Sequence, residues 1–215
     1  MKDLIFSRFK TLTFLFCSMA LSIVLLMVRM KLTREFFLLF LVWNLFLAFI
    51  PFAISFYLQT KADLKKWQLV FSGLVWLLFL PNAPYIITDL FHLRHSTPQL
   101  IWLDILVIVS FAINGLILYL ISVTDMRQLF QQHFQTKLIN WSFSMLPFLV
   151  AFGIYLGRFL RYNSWDILHR PLQLLLDCLD YLLYPLSHLG MWLFTVAFGC
   201  LLLITTKVME EKKAG

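Results

Sequence analysis

The chain has 215 residues, of which 61% are apolar and 13% charged, with a mean hydropathy of +0.83. Soluble domains carry about 45–50% apolar and about 25% charged residues, so there are too few charges here to cover a water-facing surface, and the composition describes an integral membrane protein. The net charge of +7 does not point to nucleic acid, because the basic residues are scattered at the ends of apolar runs instead of forming one patch.

A helix needs about 20 apolar residues to cross roughly 30 Å of hydrocarbon. Five runs meet this directly: Thr11–Val28, Phe36–Leu58, Ile101–Val123, Leu138–Leu160 and Ser187–Thr206. A sixth starts at Trp67 and meets Pro81 after 14 residues. It spans only if the chain resumes beyond Leu80-Pro81-Asn82-Ala83-Pro84-Tyr85, as a discontinuous helix does. The expected fold is therefore all-α with about six transmembrane helices, the third broken at Pro81–Pro84, in a single polytopic domain over residues 1–215. Between the fifth and sixth spans, Pro171 opens a segment near 172–184 whose polar Gln173, Asp177 and Asp180 recur at i, i+4 and i+7 among apolar neighbours. It reads as a short interfacial helix on the outer side. The alternative, a seventh crossing, would place the C-terminus outside.

The basic residues set the orientation. Lys2, Arg8, Lys10, Lys61, Lys65, Lys66, Arg127, Lys137, Lys207, Lys212 and Lys213, 11 in all, flank one side; Arg29, Lys31, Arg34, Arg94, Arg158, Arg161 and Arg170, 7 in all, flank the other. The positive-inside bias places both termini in the cytoplasm. The first span follows a basic segment but has no small-residue cleavage site, so it is expected to remain as an anchor. Cys17 and Cys200 lie within apolar runs, and with Cys178 they make an odd number that indicates neither a disulfide framework nor a metal cluster.

This topology places five ionisable residues at one depth on the outer side: Asp89 and His92 after the broken helix, Asp104 at the start of the fourth, and Arg158 and Arg161 at the end of the fifth. With α-helical winding, Tyr85, Asp89 and His92 share one face. Asn114 lies about 15 Å deeper than Asp104. Ionisable groups at membrane depth cost about 2.5–3.5 kcal/mol each, so they are paired or functional. Two readings stay open. Arg158 and Arg161 either neutralise Asp89, Asp104 or Asp166 as a structural clip, or form a forked receptor for a phosphate or carboxylate, aided by Asn82, Tyr85 and the half-helix N-terminus near them. If the protein is an enzyme, Asp89, His92 and Asp104 are the candidate catalytic residues, Asp89 or His92 acting as general base. The second His of a zinc motif is missing after Asp89-Leu-Phe-His92, so no metal is expected. No cofactor signature is present.

These residues are also where the chain resembles a known family. Leu80-Pro81-Asn82-Ala83-Pro84-Tyr85-Ile86-Ile87-Thr88-Asp89-Leu90, Asp104, Asn114-Gly115 and Gly157-Arg158-Phe159-Leu160-Arg161-Tyr162-Asn163-Ser164-Trp165-Asp166 are similar to domain of unknown function 1361, a bacterial multi-pass membrane family. The likeness covers most of the chain from about Phe36 onward, with Tyr162 standing where tryptophan is expected. It implies a location in the bacterial cell membrane and no particular chemistry. The functional expectation is a multi-pass protein in contact with the bilayer that binds an anionic lipid head group or a lipid-linked substrate. The rival expectations are an accessory subunit partnered by another membrane protein, and a small transporter, although no paired interruption appears in the other half.

Overall fold

A computed structural model describes residues 6–61 and 63–214; Lys2, part of the amino-terminal basic group, lies outside them. Helices α1 (Phe9–Thr33), α2 (Phe40–Gln59), α3 (Lys66–Phe79) and α4 (Asn82–Tyr85) precede a 3-10 segment, Ile86–His95. There follow α5 (Ile101–His133), α6 (Thr136–Phe159), α7 (Asp166–His169), α8 (Pro171–Leu183) and α9 (Leu189–Ala214). By length and composition six segments can cross a membrane: Phe9–Thr33, Phe40–Gln59, Lys66–Arg94, Ile101–His133, Thr136–Phe159 and Leu189–Glu211. The protein is an all-α multi-pass membrane protein, as the apolar runs require. Helices α5 and α9 extend beyond the expected spans because an apolar run measures the hydrocarbon crossing, whereas the helix continues through helix-tolerant polar residues. Large side chains such as Trp43, Phe46 and Leu193 are exposed on helix faces, and so are Cys17 and Cys200; within spans, such faces meet lipid.

Two compact units are present, Met1–Met126 and Arg127–Gly215. In the first, α1 and α5 run antiparallel in a fixed register. Arg8 donates to both carboxylate oxygens of Asp125 at 2.5 and 2.8 Å, and Arg29 Nε donates to Asp104 at 2.8 Å. Both pairs are separated by 21 residues along each helix, or about 31 Å of helical rise. That matches the hydrocarbon thickness of roughly 30 Å, so the two ion pairs fix α1 against α5 near the ends of one span. Between them, Asn114 Nδ2 donates to Ser22 Oγ at 3.0 Å.

The third span is interrupted where its prolines predict, with a consequence the spacing does not reveal. Pro84 has no N–H for the Leu80 carbonyl, which instead accepts from Ala83 N–H, three residues on, at 3.2 Å. In a regular helix that N–H would serve Phe79; here Asn82 Nδ2 donates to the Phe79 carbonyl at 2.9 Å. The backbone stays in the helical region, Pro81 at φ −58 and ψ −27, but hydrogen bonding tightens into the 3-10 segment. Thr88 Oγ1 adds a bond to the Tyr85 carbonyl at 2.7 Å. Gly115 of α5 receives this bend: a Cβ there would overlap the Ala83 carbonyl oxygen and lie 3.1 Å from Ile86 Cδ1. In the second unit Gly199 of α9 meets Phe148 of α6 in the same way, 3.1 Å from its Cα.

Candidate functional site

At the end of the first unit that carries the 3-10 segment, buried polar groups and aromatic rings form one connected group. Asp89 is 1% exposed, and its carboxylate accepts from Asn44 Nδ2 of α2 at 2.8 Å. His92 Nε2 lies 3.9 Å from the other Asp89 oxygen. The His92 ring is half-buried against Phe37 and Phe40, with centroids 5.8 and 4.7 Å away. Phe37 in turn carries the Arg29 guanidinium over its face at 5.9 Å, and Arg29 is the partner of Asp104. Asp89, His92 and Asp104 are thus linked through Arg29 and Phe37.

Two expectations are corrected here. Tyr85, Asp89 and His92 do not share a face in this segment. At about three residues per 3-10 turn, Asp89 and His92 eclipse each other and Tyr85 falls about a third of a turn away. The partner of Asp104 is Arg29, which sequence reasoning counted among outer loop charges; it is a buried residue of α1, 3% exposed. A basic residue at the end of an apolar run looks the same whether it flanks lipid or turns inward, so only the packing of α1 on α5 identifies it. Asn44, Ser22 and Asp125 were also missed, and Arg8, like Arg29, was counted only as a flanking charge. Asn44 and Ser22 are marked in the sequence only as polar residues within apolar runs, and Arg8 and Asp125 only as charges just beyond the ends of such runs.

Asn114 is fully buried, donating also to the Ser110 carbonyl at 2.9 Å, and its Oδ1 has no hydrogen-bond partner among the described residues. Asn82 serves the bend.

Arg158, Arg161 and Asp166 belong to the second unit. Helix α6 ends with Arg161 at φ 62, a left-handed conformation that side chains other than glycine adopt at a cost of about 1–2 kcal/mol. Tyr162 N–H closes the turn onto the Leu156 carbonyl at 3.2 Å. Arg158 is half-buried and Arg161 exposed. Asp166 does local work: its carboxylate accepts from Asn163 N–H at 2.7 Å while its own N–H donates to the Asn163 carbonyl at 2.9 Å. This shapes the loop that presents Tyr162, whose hydroxyl donates to Asp177 of α8 at 2.6 Å. Farther along α8, Asp180 accepts from His188 at 2.8 Å. At the other end of this unit, Arg127 pairs with Glu210 and donates to Asn140 at 2.9 Å.

The Tyr162 hydroxyl is pushed up to about 12, first by its hydrogen bond to Asp177, then by desolvation and the Asp177 charge, with Arg170 opposing. Beside it, burial raises the Cys178 thiol, and Asp177 adds to that effect. Because the folded state holds the Tyr162 proton more tightly than a free phenol at about 10, the stability this bond contributes is fully present below about 10 and lost as pH rises toward about 12. An ultraviolet titration of tyrosinate is expected to show Tyr162 among the late-ionising tyrosines, with Tyr181 also raised by burial, and Asp177→Asn to bring Tyr162 back toward about 10. A titration unchanged by Asp177→Asn would overturn this assignment.

The helices, their length and the buried charges within them define a polytopic membrane protein with an ionic cluster at one end of its first unit. Residues 43–205 match the family described as protein of unknown function (DUF1361), and the chain belongs to that family. No curated protein and no solved structure matches it.

Proposed function

We propose that the protein binds an anionic group, a phosphate or carboxylate of a lipid head group or lipid-linked substrate, at the outer face of a bacterial cell membrane. Both termini are cytoplasmic in this reading. Arg161 and Arg158 of the second unit form the clamp; within the first unit, His92 backed by buried Asp89, together with Asp104, is the candidate proton-handling group. Asp166 shapes the loop after the clamp, and Tyr85, Asn82 and Asn114 position the elements of the first unit. The observation that carries the reading is Arg161: a long cationic side chain occupies a left-handed cap position that favours glycine, it is exposed, and among the described residues it pairs with no carboxylate. Non-glycine residues held in the left-handed region are enriched at ligand clamps, which supports this reading of Arg161.

The test is Arg161→Gly, which removes the guanidinium while relieving the strained φ. Thermal stability in detergent is expected to be unchanged or up to about 1 kcal/mol higher, while affinity for phosphatidylglycerol, read by native mass spectrometry, falls about tenfold or more, in line with loss of a charge-assisted hydrogen bond. Undiminished binding would overturn the clamp. A second reading, an accessory subunit with structural charges, is favoured by the closed Arg29–Asp104 pair; it predicts that Arg161→Gly leaves lipid binding unchanged.

A further inference from the structure

Helix α8 has no buried residue. Leu172, Leu175, Leu176, Leu179 and Leu183 recur at i, i+3, i+4, i+7 and i+11, a single stripe, and all are exposed, from 41% at Leu179 to 69% at Leu183. The polar edge of the helix is already engaged, Asp177 by Tyr162 and Asp180 by His188, which leaves the leucine stripe as the unpartnered side. A helix that adheres to an anionic bilayer by general attraction carries Lys and Arg along its polar edge; this one carries carboxylates. Its cations stand instead at the end tied to α6. Arg170 caps α8, is exposed, and its charge acts on the Tyr162 hydroxyl, next in sequence to Arg161. Neither Arg161 nor Arg170 is in an ion pair among the described residues.

We infer that the ligand is a membrane-resident anionic lipid, with Arg161 and Arg170 on its head group and its acyl chains against the leucine stripe of α8. The inference rests on the anion-binding reading above and adds Arg170 and the apolar platform to it. Charge complementarity with the exposed cations Arg161 and Arg170, which bracket the loop leading into α8, together with the exposed leucine stripe of that helix, selects an anionic lipid over a soluble anion.

The experiment uses the full chain in mild detergent and three probes: long-chain phosphatidylglycerol, its dihexanoyl analogue, and long-chain phosphatidylcholine. Native mass spectrometry is expected to show the long-chain anionic lipid bound about tenfold or more tighter than either of the others. Leu172→Ser with Leu176→Ser, at exposed positions where no core packing is lost, should abolish the preference for long chains and leave dihexanoyl binding unchanged. Arg170→Gln should weaken both anionic probes alike. Equal binding of long and short anionic probes would overturn the acyl platform while leaving the anion site intact; equal binding of phosphatidylglycerol and phosphatidylcholine would overturn the anion site itself. Conversion of a dimer to a monomer by the serine variant, with lipid preference unaltered, would make the stripe an interface between copies and overturn the inference.

Discussion

Replacement of Arg29 by alanine is expected to destabilise the folded protein by about 3–5 kcal/mol, because it leaves the Asp104 carboxylate buried without its counter-charge. Asp104 is 1% exposed and its bond to Arg29 Nε is 2.8 Å long, so water cannot replace the lost guanidinium cheaply. Asp104→Ala should have a similar effect from the other side. The double replacement Arg29→Met with Asp104→Leu should recover most of the loss, since apolar side chains of similar volume remove both desolvation penalties. Thermal melts in detergent and cellular abundance measure this. Arg8→Ala is a parallel test: Asp125 is fully buried and held through both oxygens, so the loss of Arg8 should likewise be strongly destabilising. A double variant as unstable as the single ones would show that the Arg29–Asp104 charges do more than neutralise each other.

Gly115→Ala should destabilise by about 1–3 kcal/mol or more, although alanine in place of glycine ordinarily favours a helix by about 1 kcal/mol. The added methyl meets the Ala83 carbonyl oxygen, a backbone atom in a segment whose hydrogen bonds are already rearranged around Pro81 and Pro84. No rotamer change relieves that overlap, so either the α5 contact opens or the bend shifts, and Asp89 and His92, which follow the bend, are displaced with it. Gly190→Ala supplies the contrast, since nothing lies within 4 Å of its Cβ and the change should be neutral or mildly stabilising. A Gly115→Ala protein as stable as its parent would refute the close approach.

The spans were legible because the hydrocarbon imposes a length and a composition on every crossing, and the break in the third span was legible because proline deletes a donor wherever it stands. The family resemblance at Leu80–Leu90 and Gly157–Asp166 was likewise readable from strings of residues, as was the existence of polar groups out of place in apolar surroundings. Local chemistry suffices for all of these.

What tertiary structure alone decided is which polar group meets which, and how the chain is wound between them. Arg29 reads as a flanking charge until antiparallel packing of α1 on α5 sets it opposite Asp104. Tyr85 reads as a neighbour of Asp89 until the tightened bend turns an α-helical face into a 3-10 one. The periodicity of a sequence specifies faces only once the winding is known, and a buried charge selects its partner by three-dimensional proximity because the low-dielectric interior penalises leaving it alone.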